Sequence, residues 1–307
     1  MTKKILLLGR ASTGKTSIIS AILEGKDPLL LMMNPLDPTR GIETSVHNWM
    51  DITLSIFDTS GQEINNYIDK DEEQQKVFQG AELVIYIFDY PSWINNPIDL
   101  IEEIRKIELL IQKKYIRAEL ILILHKIDLI HSQQKLNLFS IKNDILELIE
   151  INDTIQLYFT SIYPELISET FNVFFDIFSR FSEDTKNLKK ILDAHSQKLS
   201  KTMYMVTDDK NHLIAQSKSA DFKIQYIRKL QKLLKPIDDK TNEISTLYER
   251  LFFIDEETKI FSVLISKIHS SNQAFRNLIS ITEIQNSNYL EENKEKLMKN
   301  IISSFSF

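Results

Sequence analysis

The chain has 307 residues, 43% apolar and 26% charged, and this length allows two domains with separate hydrophobic cores. Its net charge of −6 leaves no basic surplus to meet a phosphate backbone, which argues against a general nucleic-acid-binding protein. The absence of cysteine excludes disulfides and thiolate metal sites. No apolar run reaches the ~20 residues of a membrane span and no signal peptide is recognisable, so we expect a cytoplasmic chain that meets membranes only through partners.

The first motif along the chain is G-x-x-x-x-G-K-T at residues 9–16, between an apolar run at 4–8 and a helical pattern at 17–23. A strand, a glycine-bounded loop and a helix in this order are typical of a phosphate-binding loop. The glycines let successive N–H groups point at phosphate oxygens, and Lys15 is expected to reach the outer phosphates. The residues expected to contact the phosphates are Gly9, Arg10, Ala11, Ser12, Thr13, Gly14, Lys15, Thr16 and Ser17.

Residues 25–41 contain three prolines and are predicted to form a long loop. Within it, the apolar run 29–33 is open to two interpretations, a short buried helix or a surface that faces a partner. The loop ends in Asp37-Pro38-Thr39, where Thr39 is expected to close over a γ-phosphate and bind a metal ion, although Pro-Thr is also an ordinary turn sequence.

Residues 44–57 are predicted to form a pair of strands that ends in Asp58-Thr-Ser-Gly-Gln-Glu. A carboxylate at the carboxyl end of a parallel strand faces a phosphate site, where Asp58 can bind magnesium through a water. Gly61 allows a close backbone approach to the γ-phosphate, and the amide of Gln62 is expected to orient the attacking water. The predicted metal ligands are Thr16, Thr39 and Asp58.

A buried strand is predicted at 83–89, whose final Asp89 is interpreted as a helix cap, and an amphipathic helix at 98–114. The next strand, 119–124, is followed by His125-Lys126-Ile-Asp128. A single carboxylate at Asp128 can accept hydrogen bonds from both N1–H and the exocyclic amine of guanine, while the Lys126 stem can lie over the base. A helix cap with a surface lysine is the alternative interpretation of this motif.

The last strand of this half is predicted at 155–159, and an amphipathic helix follows at 166–181. Ser161 and Ile162 lie between them, where they are expected to contact the guanine carbonyl. Strands and helices alternate throughout, which predicts an α/β fold with a doubly wound, mostly parallel sheet. Every motif falls at the carboxyl end of a strand, where ligands bind in such sheets.

The set GRASTGKT, DPT, DTSGQE, HKID and TSI resembles the Ras-related small GTPases of the P-loop NTPase class. His125, in LHKIDLI, stands where most small GTPases have asparagine, and this form, together with VFQGAELVIYIFD and YFTSIYPELISETF, is similar to the Rag/Gtr family. The resemblance implies GTP or GDP with Mg²⁺ as ligands, GTP hydrolysis assisted by Gln62, and nucleotide contacts at His125, Lys126 and Asp128.

The same resemblance implies a Ras-like domain at 1–183 and a roadblock-like dimerisation domain at 184–307. We therefore expect a homodimer or a heterodimer with a related GTPase, and roadblock-type scaffold proteins, activating factors and exchange factors as partners. Ala11 and Ser12 replace two glycines of Ras and narrow the space near the γ-phosphate. These two side chains leave open a nucleotide-bound scaffold that hardly hydrolyses GTP. A separate, third interpretation of the phosphate loop is an ATP-dependent P-loop enzyme. Arg10 and Arg40 are expected to be solvated.

The carboxyl-terminal part is predicted to run helix, hairpin, helix, hairpin, helix, the order of a roadblock/longin-like α/β sandwich. The predicted elements are a helix from 182 to 199, strands 203–206 and 212–216 around a turn at 208–211, a helix at 221–235, strands 246–254 and 259–268 around a turn at 255–258, and a helix at 289–307. No catalytic or metal-binding arrangement is recognisable there, so this part is interpreted as a binding module.

Overall fold

The computed structural model describes residues 2–34, 36–49, 52–113, 118–131, 138–149, 155–208, 213–222, 248–254, 260–268 and 277–305. The chain divides into two compact units, residues 1–48 with 52–173 and residues 49–51 with 174–307.

The first unit is built on a six-stranded sheet in the order β2-β3-β1-β4-β5-β6. Its strands are β1 (Thr2–Leu8), β2 (Ile42–Trp49), β3 (Ile52–Thr59), β4 (Leu83–Asp89), β5 (Glu119–His125) and β6 (Gln156–Phe159). Strands β3, β1, β4, β5 and β6 are all parallel. This confirms the predicted doubly wound sheet and places the ends of β1, β3, β4, β5 and β6 at one edge.

The helices of this unit are α1 (Lys15–Ile22), α2 (Pro28–Met33), α3 (Ile64–Asp69), α4 (Asp71–Phe78), α5 (Tyr90–Asn95), α6 (Pro97–Lys113), α7 (Asp128–His131), α8 (Leu138–Ile149) and α9 (Ile167–Ser179), the last of which spans the division between the units. All seven residues of β4 are buried, as expected for a central parallel strand. One face of α6 packs into the same core through Leu100, Ile104 and Ile107.

The long loop predicted over residues 25–41 contains a helix, α2, at the apolar run for which a short helix was one of two interpretations. Asp27 caps this helix by accepting a bond from the Leu29 N–H, and Pro28 occupies the first helical turn, where a missing N–H has no cost. Leu31 and Pro28 are buried, while Leu29, Leu30, Met32 and Met33 are exposed. The interpretation as a short helix is therefore confirmed, and the partner-facing interpretation of the run stays a prediction.

The second unit contains a five-stranded sheet in the order β8-β7-β11-β10-β9. Its elements are α10 (Glu183–Ser196), β7 (Thr202–Thr207), β8 (Leu213–Lys218), β9 (Tyr248–Ile254), β10 (Ile260–Lys267), β11 (Asn277–Glu283), a 3-10 turn (Ile284–Asn286) and α11 (Ser287–Phe305). The pairs β7–β8 and β9–β10 are antiparallel, as predicted for two hairpins.

Strand β11 is absent from the predicted order, although it is the central strand of this sheet. The strand was missed because polar residues such as Ser280 and Thr282 do not indicate a buried strand. Both are fully buried, and the Thr282 hydroxyl lies 2.9 Å from that of Thr202 on β7. The predicted turns at 208–211 and 255–258 and the helix at 221–235 fall largely outside the described residues. Within the part of the chain that the structure describes, every helix is too short or too polar to span a bilayer.

Candidate functional site

The phosphate-loop motif lies between β1 and α1, as predicted, and its glycines occupy positions that other residues could not. Gly9 has φ 148°, and a Cβ there would lie 2.1 Å from the carbonyl oxygen of Ile87. Gly14 has φ 97°, in the left-handed region that favours glycine. The side chain of Lys15 is buried, and its Nζ donates to the carbonyls of Gly9 at 2.8 Å and Arg10 at 3.0 Å. Burial lowers the pKa of Lys15, against the raising effect of the Asp58 charge.

The segment after β3 lies directly on this loop. A Cβ at Gly61 would lie 2.2 Å from Ala11 N and 2.3 Å from the Arg10 carbonyl carbon. Only glycine can approach the loop backbone this closely. Gln62, next in sequence, is exposed and lines the cleft above the loop.

Three oxygen-bearing side chains converge beside Lys15. The Thr16 hydroxyl donates to Asp58 Oδ2 at 2.5 Å, and the Thr39 hydroxyl lies 3.1 Å from that of Thr16 and 3.4 Å from Asp58 Oδ2. Asp58 is 4% exposed, and its Oδ1 has no hydrogen-bond partner among the described residues. Burial raises the pKa of Asp58, although the bond from Thr16 and the charge of Lys15 oppose this effect.

This arrangement fits a magnesium ion whose coordination is completed by phosphate oxygens. Hydroxyl and carboxylate oxygens are ligands that Mg²⁺ prefers, and a buried carboxylate oxygen without a partner is costly unless something binds it. A single carboxylate does not make an all-protein metal cage, and the described residues contain no group of three or more acidic, histidine or cysteine side chains arranged for one. Mg²⁺ commonly uses one or two carboxylates together with substrate phosphates.

At the other end of the cleft, the motif after β5 meets the segment after β6. The Ser161 hydroxyl donates to Asp128 Oδ1, and the Ser161 oxygen accepts from the Tyr163 N–H at 2.9 Å. The backbone of Ser161 is held in turn by Thr170, which bonds to its N–H and its carbonyl. Asp128 therefore has one oxygen fixed by Ser161, and its carboxylate is oriented at the cleft wall.

Lys126 connects the two ends of the cleft. Its Nζ donates to the Ser12 carbonyl and to Asp89 Oδ2, each at 2.6 Å. Asp89 also caps α5 by accepting from the Ser92 N–H at 3.0 Å, so its interpretation as a cap is confirmed. Burial opposes ionisation of Asp89, but the bonds from Lys126 and Ser92 outweigh it and lower its pKa. Lys126 is thus held along the phosphate loop, with its stem beside the cleft.

His125 is 1% exposed and packs beneath the phosphate loop. A Cβ at Gly14 would lie 2.6 Å from its Cδ2, and its Nδ1 lies 2.8 Å from the Thr160 hydroxyl. Burial lowers the pKa of His125 to about 3, with a further contribution from the Lys126 charge. The imidazole is therefore neutral at physiological pH and acts as a support for Gly14.

These groups line one cleft of about 440 Å³, within the range of small-molecule sites. The predicted site residues on its wall are Ala11, Ser12, Gly14, Lys15, Thr16, Ser17, Thr39, Gly61, Gln62, His125, Lys126, Asp128, Ser161 and Ile162. Gly9, Arg10, Thr13 and Asp58 do not line it. The Thr13 side chain is fully buried and its hydroxyl donates to the Arg10 carbonyl at 3.0 Å.

The expectation of a solvated Arg10 was wrong. Its side chain leaves the loop and pairs with Glu103 on α6, whose carboxylate oxygen lies 2.7 Å from a terminal guanidinium nitrogen. Arg40 is exposed, as expected.

The structure also adds apolar residues that the motifs did not indicate. Leu31, Met32 and Leu36, from α2 and the loop after it, line the cleft together with Leu129 and Tyr163. The apolar run of α2, just before Thr39 in the chain, was the sequence feature that could have indicated an apolar wall of the cleft. Its position beside the nucleotide motifs in space could not be deduced from spacing.

The parallel sheet, the loop between β1 and α1, and the ordered motifs along one sheet edge define a P-loop protein of Ras-like architecture. The Gtr1/RagA G protein conserved region matches residues 4–246 of the chain. The chain is 30% identical over 142 residues to GTP-binding protein GTR1 of Saccharomyces cerevisiae, covering 45% of this chain and 44% of that protein. It is 27% identical over 173 residues to Ras-related GTP-binding protein A of Dictyostelium discoideum, covering 54% of each.

The family match covers most of the chain, so the chain belongs to the Gtr1/RagA G protein family, and the predicted resemblance is confirmed. The alignments span about half the length of the two curated relatives.

Proposed function

We propose that this protein is a guanine-nucleotide switch that binds GTP and GDP with Mg²⁺ and hydrolyses GTP. The observation that carries the proposal is the convergence at one cleft of three features: a glycine-bounded loop with a buried Lys15, the hydroxyls of Thr16 and Thr39 backed by the buried Asp58, and the fixed carboxylate of Asp128. The loop with Lys15 binds phosphates, and the Thr16–Thr39–Asp58 oxygens bind a divalent cation. The Asp128 carboxylate binds an edge with two adjacent donors, such as that of guanine.

The proposed roles follow from the geometry. Lys15 would exchange its bonds to loop carbonyls for phosphate oxygens, which favour its charged form. Asp128 would accept from the two adjacent donors of guanine, one on each oxygen, with the Ser161 hydroxyl as a further donor to Oδ1. When bound, Mg²⁺ would neutralise phosphate charge and be held by Thr16, Thr39 and, through a water, Asp58.

Gln62 would orient the attacking water from the exposed side of the cleft. Phosphoryl transfer in such sites depends on positioning and charge neutralisation, so unaided turnover should be slow, of the order of 10⁻³ per second or less. We propose that the γ-phosphate orders the segments that carry Thr39 and Gln62 and that hydrolysis releases them. An activating partner would accelerate hydrolysis and an exchange factor would replace GDP.

We further propose functional domains at 1–183 and 184–307, a cytoplasmic location, and dimerisation through the second domain. Support for the boundary comes from Ser182, which is buried and caps α10 by accepting from the Thr185 N–H at 2.9 Å. A second copy or a related GTPase is the proposed dimer partner, and roadblock-type scaffold proteins are proposed to dock on the pair. The molecular mass in solution tests dimerisation, since a monomer at micromolar concentration would exclude a stable homodimer.

Single-turnover hydrolysis tests the enzymatic part of the proposal. With radiolabelled GTP and Mg²⁺, the wild type should release phosphate, and Gln62→Leu should slow this release by at least about tenfold because the water loses its orienting amide. Gln75→Leu, an exposed glutamine on α4, is the matched control and should behave as the wild type. Equal rates for wild type and Gln62→Leu would favour a nucleotide-bound scaffold instead of a hydrolysing switch.

A further inference from the structure

Arg10 ties the phosphate loop to α6 through a buried carboxylate. Its Nε donates to Glu103 Oε1 at 2.8 Å, and a terminal guanidinium nitrogen lies 2.7 Å from the same oxygen and 4.0 Å from Asp99 Oδ2. The Glu103 side chain is only 12% exposed. Charge-assisted bonds of this length are among the stronger interactions in proteins, and burial reduces their screening by salt.

The second oxygen of Glu103 is also occupied. The Tyr86 hydroxyl, on the fully buried strand β4, donates to Glu103 Oε2 at 2.5 Å. Burial and the Glu103 charge together raise the pKa of Tyr86 well above its ordinary value, so the phenol stays protonated as a donor. The carboxylate is therefore held from the loop side by Arg10 and from the sheet side by Tyr86.

The backbone of Arg10 is a point where several supports of the loop meet. Its carbonyl accepts from Lys15 Nζ and from the Thr13 hydroxyl, each at 3.0 Å. The segment at Gly61 packs against its carbonyl carbon. A shift of Arg10 would therefore move the lysine anchor and the contact with the segment that carries Gln62.

We propose that Arg10 and Glu103, with Tyr86 as second support, form a brace that fixes the phosphate loop and sets how long the nucleotide is retained. The part of this inference that concerns retention rests on the proposed function. Arg10, Glu103 and Tyr86 are positioning residues, because none of them lines the cleft. The brace makes α6 a support of nucleotide binding as well as a core helix.

The experiment is release of a fluorescent GDP analogue, followed by stopped flow in Mg²⁺ and excess GDP. Glu103→Gln keeps the side-chain shape and removes the charge, and it should accelerate release about tenfold, the factor expected when a charge-assisted bond becomes a neutral one. Glu102→Gln, an exposed residue of the same helix, is the matched control. Release by Glu103→Gln within twofold of this control would overturn the brace.

A double-mutant cycle separates the brace from a general structural role. Arg10→Met should accelerate release to a similar extent, and Arg10→Met with Glu103→Gln should be no faster than the faster single variant, because both changes act on the same interaction. Independent, multiplying effects would overturn the proposal. If Glu103→Gln does not fold, Arg10→Lys keeps the charge but loses the forked geometry, and it must still accelerate release beyond twofold.

Amide hydrogen exchange of residues 11–15 without nucleotide tests the brace when release cannot be measured. Glu103→Gln should exchange faster than wild type in this loop and equally in α11, since only the loop loses its support. Unchanged exchange in the loop would overturn the brace. A wild type that binds no GDP would refute the proposed function, while faster loop exchange in the variant would still support the brace.

Discussion

Gly61→Ala should separate the segment that carries Gln62 from the phosphate loop. The added Cβ would lie 2.2 Å from Ala11 N and 2.3 Å from the Arg10 carbonyl carbon, whereas ordinary contacts begin at 3.4 Å. Both neighbours are backbone atoms of the phosphate loop and cannot turn aside as a side chain can. One of the two segments must therefore move by about 1 Å, and a misplacement of this size can cost about 10²-fold in rate.

The assay is single-turnover GTP hydrolysis, with GDP affinity measured in parallel. We expect hydrolysis to fall about 10²-fold while GDP affinity changes much less, because the clash affects the γ-phosphate end of the cleft. Gly80→Ala is the control for a general loss of stability, since its φ of 72° strains alanine but a Cβ there would meet no described atom within 4 Å, so its hydrolysis should stay close to that of the wild type. Hydrolysis by Gly61→Ala within threefold of wild type would refute the reasoning.

Three further predictions concern the metal site and two groups that support the segments around the cleft. Asp58→Asn should raise the Mg²⁺ concentration needed to retain GDP by about 10- to 100-fold, and an unchanged Mg²⁺ titration would contradict the assigned metal role. Tyr67→Phe removes the hydroxyl that donates to Glu63 Oε2 at 2.5 Å and lies 3.1 Å from the Gly41 carbonyl, so urea denaturation should show a loss of about 2 kcal/mol, whereas no loss would show that these contacts contribute nothing. The pKa of His125 is about 3 in the folded protein and 6.5 in the unfolded chain. As the pH falls below 6.5, the unfolded chain therefore takes up a proton that the folded protein does not. The stability that neutral His125 contributes is lost progressively towards pH 3. Between pH 7 and pH 5 the nucleotide-free wild type should lose about 2 kcal/mol more than His125→Asn, and equal losses would contradict a buried neutral imidazole.

The motifs predicted the first unit well because chemistry at the sheet edge requires particular residues. The glycine-bounded loop before Lys15, the aspartate near the end of β3 and the aspartate after β5 each act on a ligand only from the carboxyl end of a strand. The motifs therefore indicated where these strands end. The apolar run of β4 is fully buried, as its lack of alternation indicated. Helix α8 was not predicted, although the four-residue spacing of its buried residues indicates a helix. These residues are Ile141, Ile145 and Ile149.

The rest could not be predicted because it depends on partners distant in sequence. In the sequence, Arg10 resembles a solvated loop residue. Its partner Glu103 lies 93 positions further along the chain and is brought beside it only by folding. Strand β11 contains buried Ser280 and Thr282, which a one-dimensional pattern assigns to a surface. The position of Leu36 on the cleft wall likewise depends on how the loop after α2 folds back.

The central claim is that this cleft selects guanine nucleotides, and calorimetric titration with GDP and ADP in Mg²⁺ tests it most directly. The wild type should bind GDP at least about 10³-fold more tightly than ADP, since adenine cannot supply the paired donors that Asp128 accepts. Asp128→Ala should lose most of this preference while it retains phosphate binding. Equal affinity of the wild type for GDP and ADP, or no binding of GDP, would contradict the account.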